Sequence, residues 1–262
     1  MLSRTLAALL SAAALTAIDA RAASDPPTEI TVDAAASLSD HLLPIVPLLI
    51  SLKVAFWATL AILPVGVALG LLLARRDFPG KSVVETVATL PLVLPPTAVG
   101  YLLLRLLASN GPLGERTLGI DLDLIFTWKG AALASALMAL PLVARTARVA
   151  FEQVDPKLEA MGRTLGLGNV AVFTTITLPL ARRGLTAAAI LGYSRALGEF
   201  GATVIVAGNI PGRTQTLALA IFSDMQIGRD DEAMVLIAIT VALSFAAVWT
   251  VEMLMRRRAV SR

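Results

Sequence analysis

Five long apolar stretches alternate with polar ones along this chain, at roughly 49–73, 83–107, 125–144, 184–206 and 234–254. At about 1.5 Å rise per residue, each is long enough as a helix to cross about 30 Å of hydrocarbon. The second stretch carries Pro91, Pro95 and Pro96 within LPLVLPP. Prolines there free backbone carbonyls that must find protein or water partners. A broken helix lining a cavity and a kink packed against its neighbours both meet that demand. Gly66 and Gly70 form a G-x-x-x-G in the first stretch, a sign of close helix packing. No linker, low-complexity tract or internal repeat interrupts residues 42–258, so one integral membrane domain is expected there.

The leader reads differently. Residues 1–23 have a positive n-region at Arg4, an apolar core from Thr5 to Ile18, and a small-x-small site at Ala20-Arg21-Ala22. That is the layout of a signal peptide or a retained signal anchor. Residues 24–41 form a polar segment with Asp25, Glu29, Asp33 and Asp40 and no Lys or Arg.

Composition supports the membrane reading. The chain of 262 residues is 56% hydrophobic and 16% charged, against about 45–50% and about 25% in soluble domains. Its mean hydropathy is +0.78. The expected fold is therefore an all-α integral membrane protein with about five transmembrane helices, or six if the leader is retained. With no cysteine and only His41, thiolate and multi-histidine metal sites are excluded, and neither metal nor cofactor is expected. The net charge of +3 belongs to loops rather than to nucleic acid. Thirteen Lys and Arg fall on one side of the five spans and five on the other. The richer side should be cytoplasmic. That leaves the mature N-terminus outside, where leader cleavage would also leave it, and the C-terminus inside.

The segment between the third and fourth stretches, about 151–181, holds two short amphipathic helices. Asp155 before Pro156 is a helix start, with a capping carboxylate and proline at the first helical position. Leu158, Met161 and Leu165 then recur at helical spacing as one apolar stripe. Gly166 and Gly168 end that helix, and Asn169 is expected to cap a second one carrying Val172 and Phe173. The stripe must fold back on this protein or dock into a partner.

From Gly166 through Ile176, Leu178 and Pro179, the spacing resembles the cytoplasmic loop signature of bacterial ABC importer permeases. In that family the loop opens Glu-Ala-Ala, three residues before the glycine. Those positions hold Ala160, Met161 and Gly162 here, while Glu159-Ala160 stands one place early. The resemblance extends over about residues 49–255. Within the family it looks like the molybdate permease subunit, on SLKVAFWATLAILPVGVALGLLLARRDFPGKS, LPLVLPPTAVGYLLL and SRALGEFGATVIVAGNIPGRTQTLALAIF. Permeases for sulfate, thiosulfate and tungstate are the alternatives. The resemblance implies an inner-membrane permease, without an ATPase site of its own, working as a homodimer. Its implied partners are two ATP-binding-cassette subunits and a periplasmic oxyanion-binding protein. Residues 30–38, ITVDAAASL, also resemble the start of a mature periplasmic molybdate-binding protein, with Ser37 at an anion-ligand position. One strand and loop cannot enclose an anion, so Ser37 is read as idle.

Gly80-Lys81-Ser82 lacks the first glycine of a phosphate-binding loop, because position 75 is Arg75. Arg195 and Glu199 lie mid-depth in the fourth stretch at pairing distance on one helix face. Ionisable groups there face a protein interior or an aqueous cavity. With Ser194 and Thr203, which could offer hydroxyls to an anion, they form the candidate translocation path; mutual neutralisation is the structural alternative. Lys53 is expected to snorkel toward the outer interface. A membrane hydrolase finds no support, since no G-x-S-x-G, histidine pair or paired carboxylates in neighbouring spans is present. An ion-coupled secondary transporter would not need the two extramembrane helices.

Overall fold

The first apolar stretch forms one helix, α1 (Ile45–Arg75), in a computed structural model that describes residues 45–119 and 123–256. The leader, the polar segment with Ser37 and His41, and the arginines after 256 lie outside the described residues. The all-α expectation holds. After α1 come α2 (Lys81–Val93), α3 (Pro96–Leu107), the single turn α4 (Glu115–Leu118) and α5 (Trp128–Glu152). Then follow α6 (Pro156–Thr164), α7 (Asn169–Val172), α8 (Leu178–Leu197), α9 (Gly201–Ala207), α10 (Leu217–Gln226) and α11 (Asp230–Arg256).

Among the described residues three helices are long and apolar enough to cross a membrane: α1, α5 and α11. The second expected span is instead a pair, α2 and α3, bent by 111°. Leu94 precedes two prolines and is extended, with φ −69° and ψ 144°, because a residue before proline is pushed out of the helical region. Pro95 and Pro96 then start α3 as a new helix. The fourth expected span is also divided. It runs as α8, stops at Gly198, and resumes as α9 after Phe200. Five continuous spans thus become three, with two broken segments between them.

The third span lies further along the chain than its apolar run indicates. It begins at Trp128 and continues through Arg145 and Arg148 to Glu152. Those arginines read as loop residues in sequence, yet Arg148 donates to Glu85 of α2 and, at 2.7 Å, to Glu152 one turn on. Satisfied charges let the helix extend past its apolar section. Lys53 is likewise engaged within the protein, with its Nζ 3.7 Å from the centre of the Trp128 ring, a cation–π contact.

The core is a column around α5, whose buried face is almost entirely small: Ala131, Ala134, Ser135, Ala139 and Ala147 among others. Small residues let helix backbones approach closely. The Gly66–Gly70 pair of α1 shows it directly. A Cβ at Gly66 would stand 2.6 Å from Val143 Cγ1, and one at Gly70 2.8 Å from Ala147 Cβ. On the other side of α5, Val99, Leu103, Ala202 and Val206 gather around Met138. Near its end, Phe151 and Val154 pack with Ala181.

The chain from α7 to α8 is unbroken. A π-helical turn, Phe173–Thr177, joins them, and Val172, Thr177 and Leu178 all keep helical angles. Pro179 accounts for it. Proline lacks an N–H and collides with the carbonyl four residues back, and one extra residue in the turn relieves the clash. Leu178 N–H accordingly reaches five residues back, to Phe173 O.

Candidate functional site

The loop helix α6 starts as its sequence predicts. Asp155 caps it by accepting the Lys157 N–H at 2.9 Å, and Pro156 takes the first position. Gly166, at φ +89°, terminates it, a left-handed conformation that favours glycine. The second helix differs from expectation. Gly168 is its cap residue, without a side-chain hydrogen bond, and Asn169 is already its first turn.

Which face of α6 turns inward is the finding of most consequence. Glu159 and Gly162 are its buried residues. Glu159 Oε1 accepts from Arg75 Nη2 at 2.7 Å and from Thr177 Oγ1 at 2.8 Å. Its Oε2 lies 3.7 Å from Arg163. Arg75 also donates to Val154 O at 3.1 Å. One carboxylate therefore ties the loop helix to the end of α1 and to the π-helical turn before α8. Gly162 is in equally close contact, because a Cβ there would meet Ile176 Cδ1 at 2.6 Å. A side chain at that position would have to push the end of the Ile176 side chain aside.

The apolar stripe faces the other way. Leu158 is 43% exposed, Met161 61% and Leu165 81%, with Val170 at 77% beside them. Ala160 is exposed too, as are Leu178 and Pro179, whereas Ile176 is half-buried. Of the two fates open to the stripe, folding back on this chain is not the one adopted. Four exposed apolar side chains on one short loop form a surface suited to a partner.

The second candidate cluster is self-contained. Glu199 is 2% exposed, and its Oε2 lies 2.8 Å from Arg195 Nη1. Its Oε1 accepts the Ala202 N–H at 2.9 Å, satisfying an amide in the first turn of α9. Ser194 donates to Ile190 O of its own helix at 2.8 Å. Thr203 is fully buried, and its hydroxyl lacks a hydrogen-bond partner among the described residues. Arg195 and Glu199 are thus brought together, while the hydroxyls of Ser194 and Thr203 are not joined to them.

Sequence reasoning missed Arg75 and Thr177 as site residues. Arg75 counted only as one more positive charge after a span, and Thr177 as a filler before Leu-Pro. The available signal was energetic: a carboxylate flanked by Ala160 and Gly162 on a short helix needs a cation if it is buried. Gly80 ends a turn at φ +89°, and Lys81 and Ser82 already open α2, with Lys81 2.8 Å from Asp77. That hydrogen bond and the Lys81 charge hold the Asp77 carboxyl below its ordinary range. Among the described residues no three His, Cys, Asp or Glu side chains are grouped to hold a metal ion.

Over 210 residues the chain is 45% identical to the molybdenum transport system permease protein ModB of Escherichia coli, covering 79% of this chain and 92% of that protein. It is 31% identical over 208 residues to the sulfate transport system permease protein CysT of Salmonella typhimurium, covering 79% and 75% respectively. Its fold matches a solved amino acid ABC transporter, crystallised with histidines, at a TM-score of 0.60 and 17% identity. That match covers 85% of this chain and 97% of the other. From Gly66 into the tail, residues 66–260, it carries the sequence pattern described as the binding-protein-dependent transport system inner membrane component, and it belongs to that family.

Proposed function

We propose that this chain is the permease subunit of an ATP-driven importer and that its cargo is molybdate. The cargo reading rests on 45% identity to a molybdenum transport permease, against 31% to a sulfate one. The importer reading has structural support in the exposed stripe Leu158–Met161–Leu165, which suits docking into an ATPase subunit. Two such subunits, a second copy of this chain and a periplasmic oxyanion-binding protein complete the assembly. ATP hydrolysis lies with the separate subunits.

The loop then works as a coupling element. Closure of the ATPase pair moves the docked α6, and Glu159 carries that movement to α1 through Arg75 and to the start of α8 through Thr177. At the far end of α8, Arg195 lies beside the path. Its guanidinium offers several donors to a tetrahedral oxyanion. A weak site is what passage requires, because tight binding stalls release. The loop faces the cytoplasm in this reading, with the N-terminus periplasmic and the C-terminus inside, on the positive-inside rule. Cysteines introduced at Ser39 and Ser261 label from opposite sides of the membrane; labelling of both from one side overturns that orientation.

A second oxyanion is the rival cargo, since a sulfate permease also matches most of this chain. Uptake of labelled molybdate by cells expressing the chain with its ATPase and receptor tests both. Molybdate uptake that survives excess sulfate supports the first reading. Uptake abolished by sulfate but unaffected by tungstate supports the second. Failure of the chain to co-purify with an ATPase subunit overturns the importer reading itself.

A further inference from the structure

Where α1 ends, the loop leaves a cavity of about 820 Å³ between itself and that helix. Three arginines line it, Arg75, Arg76 and Arg163, against the one carboxylate of Glu159. That carboxylate is already engaged by Arg75 and Thr177 on one oxygen and faces Arg163 with the other. Positive charge is therefore in excess. Arg76 is exposed, with no side-chain ion pair or hydrogen bond among the described residues. Among the described residues Arg75 bonds only through Nη2, and its Nε is buried without a partner there. A buried donor left unmade is costly. Guanidiniums with free donors are the groups that recognise anionic oxygens.

One to two turns back along α1 the lining is apolar. Ala68 and Leu72, both exposed residues of α1, supply it, and Phe173 adds to it from the π-helical turn. The cavity thus passes from the apolar flank of a membrane-crossing helix to that helix's basic end, in the order in which a phospholipid presents chain and headgroup. Basic pockets at the end of membrane helices bind anionic headgroups. We infer that this cavity is a site for an anionic phospholipid, its phosphate held by Arg75, Arg76 and Arg163 and its upper acyl chain lying along Ala68 and Leu72. The bound lipid braces α6 against α1, the contact otherwise carried by Glu159.

A free phosphate offers the same oxygens but none of the chain, which gives the test its two arms. The full-length chain, purified in detergent with its accompanying subunits, is offered phosphatidylglycerol and phosphatidylcholine together, and retained lipid is read by native mass spectrometry. Phosphatidylglycerol is retained in preference, and Arg76→Gln lowers its retention about fivefold, the value of one basic side chain near a headgroup. Arg163→Gln, also at an exposed residue, gives a comparable loss. Ala68→Trp fills the apolar wall without touching the charge and removes the lipid. Equal retention of the two lipids, or no loss in either arginine variant, overturns the proposal. So does phosphatidylglycerol that Ala68→Trp retains unchanged and inorganic phosphate displaces, which assigns the basic end to a free anion.

Discussion

Among the described residues two carboxylates are buried, and they are held in opposite ways. Glu199 finds its partners within a turn, Arg195 four residues before it and the amide of Ala202 three after. Glu159 finds Arg75, which is 84 positions away, and Thr177, which is 18 away. The first arrangement closes on itself and orders one helix break. The second joins three elements and, by turning the charged face of α6 inward, leaves its apolar face unburied. A soluble helix normally does the reverse. The inversion marks the loop as a surface shaped for something outside this chain, whereas the mid-span pair is satisfied within the break between α8 and α9.

The contrast can be broken most severely at the stripe. Met161→Asp puts a carboxylate where docking would strip it of water, at a large desolvation cost. Oxyanion uptake should fall to background and the ATPase should separate from the purified complex, while the amount of this subunit in the membrane stays near normal. An ATPase that stays bound would show that the stripe serves another purpose.

Next in size is the clamp beneath it. Removing one partner of a buried pair costs about 3–5 kcal/mol, and Glu159→Ala should fall at the low end because Arg75 is partly exposed. Hydrogen exchange across residues 156–179 should accelerate and uptake should drop with it. Adding Arg75→Ala should cost less than the sum of the two single changes. Strict additivity would mean that the pair does not couple the loop to α1.

The mid-span pair gives a smaller and more selective effect. Because Glu199 also serves the Ala202 amide, the informative variant is Arg195→Leu with Glu199→Gln, which keeps an acceptor for that amide and removes both charges. Replacing a buried pair in this way is close to neutral for stability, so the complex should assemble and hydrolyse ATP. Uptake should nevertheless fall about tenfold, on the order of one good charge-assisted contact. Near-normal uptake would retire the pathway role of Arg195 and leave the pair purely structural. The smallest effect belongs to Asp77. Its carboxyl is held low by Lys81, so its contribution exists above the ordinary aspartate range and disappears as pH falls through the lowered value. It is fully exposed, and Asp77→Asn should leave both uptake and melting temperature unchanged at neutral pH.

How much of this was legible in sequence follows the same division between local and distant. The helix start at Asp155-Pro156, the Arg195–Glu199 pair and the close approach at Gly66 and Gly70 all depend on neighbours within a turn or on residue size, and a sequence displays both. The breaks at Leu94–Pro95 and Gly198–Phe200 were only half legible. Prolines announced the first, but apolar content alone joined both halves into single spans. The extent of α5 was hidden because Arg145 and Arg148 look like loop residues until Glu85 is placed beside Arg148. The burial of Glu159 was not legible at all. Its cation ends another helix, and no periodicity along α6 points to it.

The π-helical turn has a mechanical consequence. Because Pro179 is absorbed by one extra residue instead of a break, Asn169 to Leu197 is a single strut of twenty-nine residues. At about 1.5 Å per residue it is roughly 43 Å long. A strut of that length amplifies angle into distance. If it pivots near its middle by about 5°, each end swings by about 2 Å in opposite directions, enough to shift the groups at the Gly198 hinge relative to α9. The loop therefore needs no wire of side chains to be felt at Arg195; the backbone itself is the lever.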